Sequence, residues 1–191
     1  MISITLNNNY NYKMSTKLVI AELEKNLTRN SVQKSQVRNS FKNNRFCHKA
    51  SLILDSYCLG GYTEINTFLR GKETNCSLSK YKVELMNYAF GKLKSVVNVP
   101  VLYRGINSKI VQHLKVGDTF CDNAFMSSTT SLSVASAFAD GGHILVINLE
   151  KQPQNVKDIQ NFNRLYEEEF LINRQVFLKV TKIVGKYIYL A

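Results

Sequence analysis

The apolar pattern of this chain changes character at Pro100, and that change limits the folds open to it more than any other feature. Before it, apolar residues recur at helical spacing. After it, short runs rich in Val, Ile, Leu, Tyr and Phe alternate with turn residues, which is the texture of strands. Helices followed by a block of strands predict an α+β fold in which N-terminal helices pack on a β core. The chain is read as a single domain over residues 1–191, with 1–14 a poorly ordered lead-in, 15–97 mainly helical and 98–191 mainly β.

In the helical part, Leu18, Val19, Leu23 and Leu27 mark a first helix, capped by Ser15 or Thr16. Residues 28–45 are basic and polar. Residues 50–71 read as a helix, a break at Gly60-Gly61 and a second helix closed by Gly71. Residues 78–97 form a further helix, with Tyr81, Leu85, Tyr88 or Ala89, and Leu93 or the stem of Lys92 as its apolar seam. In the β part, strands are expected at 101–106, 124–126, 143–149, 170–180 and 183–190, with short helices near 108–114 and 134–139. Residues 150–166 read as one long loop, a length that marks functional segments in small domains.

The formal net charge is +11, from 25 Lys and Arg against 14 Asp and Glu, and it favours phosphates, nucleic acid or acidic surfaces without choosing among them. Against that trend, Glu167, Glu168 and Glu169 abut the apolar run 170–172. In an extended chain Glu167 and Glu169 share a face and Glu168 points away. Two carboxylates on one face resist joint ionisation unless a cation or hydroxyl meets them. A solvated acidic turn and a binding site both fit that pattern.

Two more polar features stand at strand positions. Arg104 lies among Val, Leu, Tyr and Ile, where a guanidinium needs an anion, either an internal carboxylate or a ligand. The hydroxyl cluster 127–131 follows an apolar stretch, and a helix N-cap accounts for one of its five members. Cys47, Cys58, Cys76 and Cys121 show neither metal-ligand nor disulfide-framework spacing and read as reduced thiols. No apolar run reaches the roughly 20 residues of a membrane span, and no secretory signal is apparent. The expectation is a cytoplasmic protein, or one delivered into a target cell by another route.

Arg104, Ser127-Ser128-Thr129 and Glu167-x-Glu169 together resemble the Arg / Ser-Thr-Ser / Glu-x-Glu pattern of mono-ADP-ribosyltransferases of the clostridial binary-toxin and arginine-specific type. Tyr57, Tyr62 and Asn66, with Ile65 and Leu69-Arg70, resemble the helical element that these enzymes lay over NAD, and Phe138 stands at the family's spacing after the hydroxyls. Ser-Ser-Thr departs from Ser-Thr-Ser but keeps a hydroxyl at each position. Gly141-Gly142 stands where the family often carries an arginine, which leaves phosphate contacts to Arg70 or another group.

The resemblance implies N-terminal helices packed on a two-sheet mixed β core of the ADP-ribosyltransferase type, NAD as substrate and no metal. Arg104 would hold a phosphate and Gly105 the nicotinamide amide. Phe138 would stack on the ring, with Tyr57, Tyr62 and Asn66 closing the pocket. Ser127, beside Ser128 and Thr129, would position Glu169 against the ribose, and Glu167 would activate the acceptor. Loop 150–166 would face the target. The implied acceptor is a protein arginine in a toxin, effector or phage- or virus-borne setting. RNA or DNA modification, plain NAD hydrolysis and a non-enzymatic basic nucleic-acid-binding module are the rival readings. An antitoxin or chaperone could bind the early helices, and monomer is the default state.

Overall fold

The computed structural model describes residues 45–72, 77–162 and 168–191. The expected lead-in and first helix, and with them the basic run up to residue 44, lie outside these residues. Helix α1 (Arg45–Ser56) runs into a wide turn (Tyr57–Gly61), helix α2 (Tyr62–Leu69) and helix α3 (Ser77–Lys92). The break falls where the glycine pair predicted it, with Leu59 and Gly60 leaving helical geometry and Gly60 at φ 109°, a conformation that glycine adopts without a Cβ penalty.

Ala50, Ile53 and Leu54 form an apolar stripe on α1 that Tyr57 continues into the wide turn, and Tyr81, Leu85, Met86, Ala89 and Phe90 form one on α3. Both belong to one core that also takes in Phe125, Ile159, Phe162 and Leu171 from the β part. Of the alternatives for the α3 seam, Ala89 is buried and Tyr88 exposed. The helix ends at Lys92 rather than near 97, because Ser95 and the residues after it turn away to bridge Lys157.

Eight strands follow: β1 (Leu102–Ile106), β2 (Thr119–Phe120), β3 (Met126–Thr129), β4 (His143–Ile147), β5 (Val156–Asp158), β6 (Glu169–Ile172), β7 (Leu178–Val184) and β8 (Tyr187–Leu190). Helix α4 (Ser108–Val111) follows β1, and helix α5 (Leu132–Ala139) follows β3. The ladder order is β2-β7-β8-β4-β1-β3-β6-β5, antiparallel throughout except for β4 and β8.

The two sheets expected from the sequence are halves of this continuous ladder, β2-β7-β8-β4-β1 and β3-β6-β5. They are joined by one register pair, Tyr103↔Thr129. A second core holds residues of both halves, including Leu102, Leu145, Ile147, Leu178 and Val180 from one and Met126, Val156, Phe170 and Ile172 from the other.

Three sequence readings need correction here. Residues 150–166 are not one loop, since β5 pairs with β6 inside them. The strand expected over 170–180 is two strands, because the chain turns at 173–177 with Gln175 at φ 57°. The hydroxyls do not follow a strand but form one: Ser127, Ser128 and Thr129 lie in β3. Among the described residues no helix is long and apolar enough to cross a membrane.

Candidate active site

Side-chain alternation divides the residues of β3 and β6 between two environments. Met126, Phe170 and Ile172 enter the core between the half-sheets, while Leu171, with Phe125 just before β3, enters the helical core. Ser127 stands opposite Leu171 and Thr129 opposite Glu169, so the hydroxyls and the carboxylate share the face turned toward the helices. Glu169 is 7% exposed. A carboxylate buried at the start of an inner strand is costly unless neighbours meet it.

A cavity of about 400 Å³ opens here, at the seam between the half-sheets. Arg104, Gly105, Ser127, Ser128, Thr129 and Glu169 line its strand side. Tyr62, Asn66 and Phe138 line it from the helices. Its volume is in the range of small-molecule sites. Of the sequence candidates, the structure brings all of these together. Tyr57 is the exception, being fully buried behind the wall. Glu167 lies outside the described residues.

Arg104 supplies the cation. Its guanidinium donates to the Ser127 carbonyl across the seam at 2.5 Å, and its Nε is buried without a partner. No internal carboxylate pairs with it among the described residues. Burial pulls its pKa below the ordinary arginine value, opposed by Tyr57 and Asp122. A desolvated cation with an unmet donor beside a cavity suits an anionic ligand. Arg70, the other candidate phosphate contact, is instead held by Asp122 in a two-bond ion pair of 3.0 and 2.7 Å.

Behind the wall, Tyr57 and Asn66 tie the helices to β3. Asn66 Nδ2 donates to the Tyr57 hydroxyl at 3.0 Å and to the Phe125 carbonyl at 3.2 Å, and the Tyr57 hydroxyl donates to that carbonyl at 3.3 Å. Burial pushes the Tyr57 pKa up to about 12, against the pull of Asn66, Arg104 and Ser127. Asn66 Oδ1 is buried and unpartnered, and its residue lines the cavity. The cavity lining thus includes one residue with a spare acceptor and one with a spare donor, and a ligand with both phosphate and N–H or O–H groups suits such a lining.

Gly105 has a steric role that its place after Arg104 does not reveal. A Cβ there would come within 2.3 Å of the Ala135 carbonyl oxygen and of the Ala139 nitrogen, so only glycine lets α5 lie on β1. That approach delivers Phe138, 61% exposed, to the cavity rim. The hydroxyl cluster divides its labour. Ser131 caps α5 by accepting from Val134 N, Thr129 Oγ1 accepts from Ser131 N, Ser127 lines the cavity, and Ser128, opposite Phe170, keeps a buried Oγ without a partner.

Sequence reasoning missed Cys58, Leu59, Gly60, Tyr103, Val134 and Ala135 as lining residues. The Gly60-Gly61 break signalled the turn carrying Leu59. Nothing local signalled Tyr103 or Val134, which the sheet and α5 bring in from separate segments. Among the described residues no cluster of three or more His, Cys, Asp and Glu could hold a metal ion.

A strand-borne arginine, a hydroxyl strand and a buried glutamate thus surround one cleft under a helical layer. The chain belongs to the ADP-ribosyltransferase exoenzyme family, whose profile matches residues 36–187. It is therefore an NAD-dependent ADP-ribosyltransferase of a toxin family.

Exoenzyme S from Pseudomonas aeruginosa, solved with human 14-3-3 protein beta and carba-NAD, shares the fold with a TM-score of 0.68. Identity is 17%, over 91% of this chain and 88% of that one. The ADP-ribosyltransferase Vis, a toxin from Vibrio splendidus, solved in complex with agmatine, gives a TM-score of 0.60 at 17% identity over 97% and 86%. The ADP-ribosylating toxin BECa of C. perfringens, solved with NADH, gives 0.58 at 22% identity over 74% and 42%. Pairwise comparison with curated protein sequences finds no significant match.

Proposed function

We propose that this protein moves ADP-ribose from NAD to an arginine side chain of a target protein, with release of nicotinamide. The observation that carries the proposal is the convergence of Arg104, Ser127 and Glu169, from three different strands, on one cavity whose cation lacks an internal carboxylate.

Arg104 holds a phosphate of the dinucleotide and the backbone of Gly105 receives the nicotinamide amide. Phe138 stacks on the nicotinamide ring, while Tyr62 and Asn66 cover it, backed by Tyr57. Ser127, flanked by Ser128 and Thr129, positions Glu169. Glu169 takes the ribose 2′-hydroxyl and stabilises the positive charge that develops at C1′ as the C1′–N bond breaks and its electron pair leaves with nicotinamide. A guanidinium nitrogen of the acceptor then bonds to C1′. That acceptor is protonated at ordinary pH, so its proton must be removed, and Glu167 is the base assigned to it.

Arginine as the acceptor rests on two supports. Glu167-x-Glu169 has the spacing of the arginine-specific pattern. Agmatine, which the Vis structure contains, is itself a guanidinium compound.

The test is incubation of the purified protein with labelled NAD and cell lysate, with recovery of protein and nucleic acid separately. Label in protein, absent with Glu169→Ala and released by treatments specific for ADP-ribosyl-arginine, is the expected result. Label confined to RNA or DNA would overturn the protein acceptor. Glu167→Ala should abolish transfer while slow NAD hydrolysis survives, and equal loss of both would remove the role given to Glu167.

A further inference from the structure

The register of β3 and β6 pairs residues whose numbers sum to a constant, from Met126↔Ile172 to Thr129↔Glu169. The next pair in that series is Thr130 with Glu168. No backbone rung forms there, because Glu168 stands at φ 47°, in the left-handed region that a glutamate enters at a cost. A side-chain bond takes the place of the rung: Thr130 Oγ1 donates to a carboxylate oxygen of Glu168. Thr130 is the one member of the hydroxyl cluster that neither lines the cavity nor serves the turn into α5.

We infer that Thr130 and Glu168 form a positioning pair that sets the acceptor side of the site without touching the substrate. The inference rests on the arginine-transfer reading above. Glu168 is joined directly to Glu167, the base assigned to the acceptor, and the Thr130 bond ties the chain at Glu168 to the end of β3. Glu169 needs the pair less. Its backbone is held on both sides, by the ladder to Thr129 and by the bond from Ile159 N at 3.1 Å. Loss of the pair should therefore impair use of the acceptor more than cleavage of NAD.

Thr130→Val keeps the shape and removes the donor. Transfer to agmatine or a labelled protein target is expected to fall roughly ten- to a hundredfold in kcat, the scale of a misplaced catalytic group. The KM for NAD and the rate of NAD hydrolysis should stay within about twofold of the parent. Thr130→Ser should restore transfer, and Glu168→Ala should reproduce the defect without adding to Thr130→Val in the double variant.

Parallel loss of hydrolysis and transfer, or failure of serine to rescue, would reduce Thr130 to a stability residue and overturn the inference. Amide hydrogen exchange over residues 168–171 gives a readout independent of turnover, and it should quicken in Thr130→Val. If the parent protein neither cleaves NAD nor labels an acceptor, the functional reading fails. The exchange comparison then still decides the pair, because unchanged exchange in Thr130→Val sinks it.

Discussion

The floor and the rim of the cavity are built in opposite ways. On the floor, Arg104, Ser127 and Glu169 sit in strands whose backbones are bonded to neighbours, and Glu169 is buried. On the rim, Leu59, Tyr62 and Phe138 are 44%, 45% and 61% exposed and are carried by short helices and a broken turn. Ladder bonds leave the floor groups little freedom, so their orientation is set before any ligand arrives. The rim is free to adjust, so it suits binding more than chemistry.

The contrast is broken if the floor proves dispensable. Glu169→Gln, close in size but uncharged, should lower both transfer and NAD hydrolysis by at least about 100-fold with a near-parental Tm. Activity within a few-fold of parent would remove Glu169 from the chemical step. Arg104→Lys keeps a charge but loses the planar fork, and the KM for NAD should rise roughly tenfold or more, read by titration of NAD in the hydrolysis assay.

Gly105→Ala probes the place where floor and rim meet. The new methyl strikes the α5 backbone, so destabilisation of about 1–3 kcal/mol is expected by denaturant unfolding, together with weaker NAD binding as Phe138 moves. Phe138→Ala sharpens the comparison from the rim. Because the ring is mostly exposed, Tm should hold while the KM for NAD rises about three- to tenfold, the worth of one stacking contact.

The last effect is confined to alkaline pH and concerns Tyr57, whose pKa is pushed up to about 12 in the folded chain against about 10 when unfolded. Below pH 10 both states keep the proton and stability is unaffected. Between about 10 and 12 only the unfolded state releases it, so stability falls as pH rises, by on the order of 2 kcal/mol. Tyr57→Phe should flatten that alkaline limb in a pH series of unfolding curves, at a cost of about 1 kcal/mol at neutral pH for the lost hydrogen bond.

How much of this was legible in the sequence depended on whether a signal was local. Arg104, Ser127, Phe138 and Glu169 could be picked out because they stand in the order and spacing of a family pattern, and all four line the cavity. The Gly60-Gly61 break was readable because glycine announces a turn. β5 was not, since Val156-Lys157-Asp158 carries one apolar residue. Its middle lysine is buried because Nζ lies 5.2 Å from the Phe90 ring centre and donates to Ser95. Arg70 could not be read as an ion-pair partner, because Asp122 lies 52 positions away. Tyr57 was expected to close the pocket with Tyr62 and Asn66, but it lies behind the wall, at a depth set by packing against Phe125.

The single register pair at the seam also bears on turnover. Under the proposed assignment, ADP-ribose is gripped by Arg104 on one half-sheet and Glu169 on the other, so the bound dinucleotide acts as a brace across the weakest line of the ladder. At a hundredfold excess over its Kd, such a ligand would add about 2.7 kcal/mol to the folded state. Breaking the bond to nicotinamide leaves that brace whole, because both grips lie on the ADP-ribose side. The halves are unclamped only when ADP-ribose departs on its new owner, which ties mechanical relaxation of the enzyme to completed delivery rather than to cleavage.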